Sequence, residues 1–169
     1  MKHKLILIYA WLIRTCFFFV PDFPFTMRVR GFFYGLVMKK CGKDFQVTNN
    51  ALLKGVQNFE IGSNVFIGNN TVIMGSGNLI IEDEVMIAPG TVIVIGNHTS
   101  SNKSFRYGKI NKGEVKIGKG SWVGGNCTIA IGAELPSNSI LGANSFLNKK
   151  FSEPDSLYAG VPSKFIKKI

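Results

Sequence analysis

Two histidines, His3 and His98, and three cysteines, Cys16, Cys41 and Cys127, bound the acid–base, nucleophilic and metal chemistry open to this 169-residue chain. Imidazole exchanges a proton near neutral pH, so a histidine beside an alcohol can take the proton that keeps the oxygen a poor nucleophile. A histidine met alone is more often structural or on the surface. His98 has context: it closes a repeat whose matching residue is Asn78, and it stands at the start of the stretch GNHTSSNKSFRYGKINKGE. Cys127 is the rival nucleophile, but it shares a repeat column with Thr71 and Thr91, which points to packing. Zinc is poorly served, because two histidines and no cysteine pair at ligand spacing fall short of a tetrahedral set.

The elements that must position His98 are repeats. Phe59 to Asn78, FEIGSNVFIGNNTVIMGSGN, lies over Leu79 to His98, LIIEDEVMIAPGTVIVIGNH, without a gap, and a third copy begins at Val115. Within each copy an aliphatic residue returns every six positions, at 61, 67 and 73, at 81, 87 and 93, and at 117, 123, 129, 135, 141 and 147. A helix would return every three or four positions and a flat strand every two. A short strand followed by a tight corner fits, with Gly, Asn or Asp at the corner, and three such strands make one triangular coil. The step lengthens to eight between 53 and 61 and between 73 and 81, and to twenty-four between 93 and 117. Each long step follows two hexapeptides, so all three extended turns fall on one corner. His98 opens the longest, the 99–114 loop, whose Phe105, Arg106 and Tyr107 could line a binding cleft or equally form a packed tip.

Composition divides the chain into an N-terminal segment 1–44, a repeat domain 45–150 and a tail 151–169, with no room for a second large domain. The formal charge is +10, but the basic residues gather at the two ends, which argues against a nucleic-acid stripe. An odd, scattered cysteine set reads as reduced packing residues in a reducing, cytoplasmic compartment. Residues 1–20, MKHKLILIYAWLIRTCFFFV, form an apolar helix with Arg14 in its middle, too short to span a bilayer. Two readings stand for it: a helix packed on the solenoid end or on another subunit, or a peripheral attachment to the inner membrane through Trp11, Phe17 to Phe19 and the basic residues. Pro21 and Pro24 stop it. Thr26 can cap a second helix running to about Lys40, with Gly42 as its terminator. The end of the tail, SKFIKKI, reads as one or two basic helical turns.

Three stretches carry a family likeness. IEDEVMIAPGTVIVIGNH, KIGKGSWVGGNCTI, and SILGANSF followed by YAGVPSKFIKK resemble the hexapeptide-repeat acyltransferases, in the branch of sugar and polysaccharide O-acetyltransferases related to the maltose and galactoside enzymes. The resemblance covers about Phe45 to Ile169. It implies an all-β left-handed parallel β-helix of about five coils, a homotrimer, and an acyl channel between subunits. It implies acetyl-CoA as cosubstrate, no metal, and direct transfer to a sugar hydroxyl with His98 as general base. The Gly125 N–H would face the thioester oxygen. Trp122, Gly124, Ala143, Pro162, Lys164 and Lys167 would hold the coenzyme, and Asn69, Asn70, Phe105 and Tyr107 the acceptor, a sugar or a lipid-linked oligosaccharide. Two departures stand out: Thr99 follows His98 where the family has proline, and Gly68 occupies the family's asparagine position, with Asn69 and Asn70 beside it. The zinc carbonic anhydrases of the same fold need three histidines, and nucleotidyltransferases need a nucleotide-binding domain that 44 residues cannot form. Soluble sugars, nucleotide sugars and amino sugars remain as alternative acceptors, and a non-enzymatic scaffold as the alternative class.

Overall fold

The computed structural model describes residues 2–169. The side chains of Lys2 and His3, which belong to the basic leader and the histidine pair, lie outside the described residues. Two helices, α1 (Lys2–Phe17) and α2 (Pro24–Gly35), precede the coils. The first coil is β1 (Lys40–Cys41), β2 (Gln46–Val47) and β3 (Leu52–Leu53); the second is β4 (Phe59–Ile61), β5 (Phe66–Ile67) and β6 (Val72–Met74); the third is β7 (Asn78–Ile81), β8 (Met86–Ile87) and β9 (Val92–Val94). An arm of β10 (Gly96–His98) and β11 (Ile110–Lys112) follows. The fourth coil is β12 (Glu114–Ile117), β13 (Trp122–Val123) and β14 (Thr128–Ile129), and the fifth is β15 (Glu134–Leu135), β16 (Ile140–Leu141) and β17 (Phe146–Leu147). A partial sixth turn adds β18 (Ser156–Ala159), and β19 (Lys164–Lys168) ends the chain. The coils stack into three parallel sheets, and the fold is a left-handed parallel β-helix with an N-terminal helical cap.

Register follows the six-residue period. Ile61, Ile81, Ile117 and Leu135 form one column; Val47, Ile67, Ile87, Val123 and Leu141 a second; Leu53, Ile73, Ile93, Ile129 and Leu147 a third. All are buried, and each contributes about 1.5–3 kcal/mol by leaving water. The corners explain the polar residues between them. Asn70, Gly90, Asn126 and Asn144 stack at one corner with φ of 56°, 75°, 56° and 58°, the left-handed region that asparagine and glycine enter at low cost. The lengthened turns do share one corner, between the third sheet and the first.

The ends differ from the sequence reading. The first coil begins at β1, so the boundary between segments at 44 and 45 falls inside it. α2 starts at Pro24, with Thr26 in its first turn, where Oγ1 accepts the Phe23 N–H at 3.3 Å and donates to the Pro21 carbonyl at 2.6 Å. It ends at Gly35, short of Lys40, because Lys40 and Cys41 pair with β4 instead. Gly31 lets α2 sit on the first coil: a Cβ there would lie 1.8 Å from the Phe45 carbonyl oxygen. The expected helical tail is instead β19, antiparallel to β18. Sheet two ends in open hydrogen-bonding groups, and an edge strand satisfies them where an isolated helical turn would not; its lysines then discourage further strand pairing. Tyr158 closes the core beneath Leu141, stacked on Phe151 at 4.1 Å.

Candidate functional site

His98 ends the outgoing strand of the arm, opposite Ile110, so the insertion begins at Gly96 and carries the histidine within it. The hairpin continues one residue further. Thr99 donates both its N–H and its Oγ1–H to the Lys109 carbonyl, each at 2.9 Å. Proline has no N–H to give, so threonine after His98 zips the arm in a way that a proline here could not. At the tip, Ser101 and Ser104 exchange hydrogen bonds of 3.0 and 2.9 Å around Asn102 and Lys103, both at positive φ, a turn that matches strand twist. Between tip and base the returning strand is three residues longer than the outgoing one. Phe105, Arg106 and Tyr107 are thrown outward as a result, and Gly108 tucks under Thr99, where a Cβ would lie 1.5 Å from its carbonyl oxygen. His98, Phe105, Arg106 and Tyr107 together line an open hollow of about 650 Å³.

The proposed coenzyme groups lie elsewhere. Gly124 and Gly125 turn the corner between sheets two and three, with Ala143 on the next coil. A Cβ on Gly124 would come within 2.6 Å of the Ala143 nitrogen, so glycine is what allows these coils to meet. The Gly125 N–H makes no hydrogen bond among the described residues. Its column, 49, 69, 89, 125 and 143, shows what an amide here can do: the Asn49 N–H donates to Asp22 Oδ1 at 2.9 Å. Trp122 is on the outer face of sheet two in the column of Phe66 and Met86, 45 % exposed, because strand alternation gives the core to Val123. That rules out a plain core role. Lys164 and Lys167 are exposed on β19 without ion pairs among the described residues, whereas Lys168 binds Glu153 at 3.2 Å; Pro162 sits in the preceding turn.

Asn69 and Asn70 part company. Asn70 is tied to Asn50 by two 2.9 Å hydrogen bonds that hold the corner: its Oδ1 accepts from Asn50 Nδ2 and its backbone N–H donates to Asn50 Oδ1, so neither bond uses its Nδ2. Asn69 Nδ2 donates to Asp22 Oδ2 at 3.2 Å, and Asp22 is held in turn by the buried Arg30 at 2.9 Å. Asp22 was not a candidate from sequence; the available signal was an acid between two prolines in a basic leader. Cys127 is fully buried and donates to the Gly142 carbonyl at 3.1 Å, with burial pushing its thiol pKa up, as suits a packing residue. Among the described residues no cluster of three or more His, Cys, Asp or Glu could hold a metal ion.

Within one chain these groups stand on different edges. His98 projects from the corner between sheets three and one, and Gly125 and Asn69 from the corner between sheets two and three. Stacked six-residue rungs, interrupted by one long arm, make up the left-handed parallel β-helix. The family model described as the hexapeptide repeat of succinyl-transferase matches residues 114–149. A probable macrolide acetyltransferase of Lysinibacillus sphaericus is 46 % identical over 57 residues, 34 % of this chain and 31 % of that protein, so the chain spans about a third of the curated relative it matches. The maltose O-acetyltransferase of Clostridium difficile 630 superposes with a TM-score of 0.80 at 24 % identity, covering 99 % of this chain and 90 % of that one. A hexapeptide-repeat acetyltransferase of Vibrio cholerae O1 biovar eltor, solved with acetyl coenzyme A, gives 0.83 at 20 %, covering 98 % and 87 %. A galactoside acetyltransferase solved with coenzyme A gives 0.82 at 22 %, covering 98 % and 81 %.

Proposed function

We propose that the protein is an acetyl-CoA-dependent O-acetyltransferase with His98 as general base. The observation that carries this is the grouping of His98 with Phe105, Arg106 and Tyr107 in one hollow, on a fold shared with acetyltransferases solved with this cosubstrate. His98 takes the proton of an acceptor hydroxyl as its oxygen bonds to the acetyl carbonyl carbon. The carbon–sulfur bond breaks, and His98 returns the proton to the departing thiolate. The Gly125 N–H donates to the carbonyl oxygen as charge builds there. The exposed Trp122, the flat Gly124–Ala143 ledge and the unpaired Lys164 and Lys167 suit a long, anionic thioester.

His98 and Gly125 project from different edges, and the homotrimer that the family resemblance implies would complete the site between subunits, one giving the arm and its neighbour the glycine corner. We assign the acceptor as a sugar hydroxyl of a polysaccharide or lipid-linked glycan, met by the aromatic arm residues together with Asn69 and Asp22. A macrolide hydroxyl is the second reading, favoured by the Lysinibacillus relative. The test is free-CoA release with acetyl-CoA and panels of glycans and macrolides. His98→Ala should lower turnover on the order of 10²–10⁴-fold while acetyl-CoA binding, read by calorimetry, survives. Near-normal turnover would sink the proposal, and sedimentation as a monomer would remove the shared site.

A further inference from the structure

The cap carries an outward apolar face that the described chain leaves uncovered. α1 is apolar on two sides: Ile6, Ala10, Ile13 and Phe17 pack toward the core, while Leu5, Ile8, Trp11 and Leu12 are 46–64 % exposed. At helical spacing these four fall within a sector about 120° wide, so they form a face and not a scatter. α2 adds Phe25 and Phe32, and Leu36 follows at its C-terminal end, all 61–67 % exposed; between the helices Phe19 is 90 % exposed, edge-on to Phe18 at 5.1 Å. An apolar surface of this extent marks a binding face.

We propose that this face docks the protein on an anionic lipid surface. Charge chooses the occupant. The first 58 residues carry nine Lys and Arg against two Asp, and both aspartates are paired with arginines, Asp22 with Arg30 and Asp44 with Arg28. A second copy of the cap would bring that excess against itself, whereas anionic headgroups complement it. Lys4, Lys40, Lys43 and Lys54 make no ion pair among the described residues and are free to meet phosphate. A hollow of about 730 Å³ beside α2, lined by Phe32, Leu36 and Met38 together with Lys40 and Lys43, has the same combination of apolar floor and cationic side chains. No described helix is long and apolar enough to cross a membrane, so α1 lies along the interface.

The test uses the full chain and vesicles of phosphatidylcholine with or without phosphatidylglycerol. Flotation should occur with the anionic vesicles and weaken about tenfold or more at high salt, and likewise in Trp11→Ser/Leu12→Ser on α1 and in Phe25→Ser/Phe32→Ser on α2. Using a pair on each helix guards against one variant losing its helix, and circular dichroism confirms the fold. The proposal fails if the wild type does not float, if both folded variants float as well as it does, or if the variants instead abolish self-association of the wild type in solution. No readout involves turnover, so the acetyl-transfer reading can fail while this one stands.

Discussion

At position 125 the side chain is a hydrogen, so the part proposed for this residue in the transfer rests on its amide alone. Two neighbours in its column separate the amide from the fold. Asn49 shows the N–H reaching a carboxylate oxygen, and Pro89 shows that the same corner accepts a residue with no N–H at all. Gly125→Pro should therefore keep the coil while deleting the donor. Turnover should fall on the order of 10²–10³-fold with a nearly unchanged melting temperature. Gly125→Ala is the control, since its Cβ would meet only the Pro89 carbonyl, at 3.4 Å, and the N–H stays. Equal turnover in the proline variant and the wild type would show that the amide does not stabilise the reacting oxygen.

The arm is an element whose shape depends on one close contact. Gly108 lies so near the Thr99 carbonyl that any Cβ must force the strands apart, and Phe105, Arg106 and Tyr107 would move with them. Residues 96–112 include no buried position, so the core has no stake in that movement. Gly108→Ala should shift overall stability by no more than about 0.5 kcal/mol, as surface changes do, yet lower kcat/KM for the acceptor about tenfold or more. Thermal melts alongside acceptor saturation curves would check both halves. A stable variant with normal acceptor kinetics would detach the arm's shape from recognition.

At the scale of the molecule, a solenoid must close its open ends, and the two ends do so differently. The C-terminal end uses Tyr158, Phe151 and the lysine-rich edge strand β19. The N-terminal end uses the helical cap, whose anchor is Arg30: 1 % exposed, paired with Asp22, and hydrogen-bonded to the carbonyls of Val47, Phe17 and Val20. It joins the end of α1, the linker, α2 and the first coil. Arg30→Ala would take from Asp22 its charge partner, leaving it only the Asn49 N–H and Asn69 Nδ2, and would remove the guanidinium donor from the Val47 and Val20 carbonyls, costing about 3–5 kcal/mol. Arg30→Lys should rescue only partly, because one ammonium cannot reach what a planar fork does. Denaturant melts would measure both, and a loss under about 1 kcal/mol in Arg30→Ala would show that the cap is held by its apolar contacts alone.

The coils, their register and the corner that carries the insertions were legible in the sequence, because a six-residue period is written in side-chain size and each rung reads only its own residues. The marks that single out His98 are of the same kind: it ends a repeat and stands beside the longest insertion, although the pairing of Gly96 with Lys112 puts it two residues inside the arm. What the tertiary structure decided involves pairings between distant segments. Whether SKFIKKI becomes helix or strand depends on the open edge of sheet two, which no local propensity reports. Trp122 faces outward because its neighbour Val123 takes the core. Asp22, Arg30 and Asn69 meet because a helical cap folds back onto the second coil, and His98 and Gly125 stand on different edges because the turn count between them sets the corner each one leaves from. Residue type marks which groups can do chemistry; the stacking of coils, through hydrogen bonds between residues far apart in the chain, decides which of them share a site.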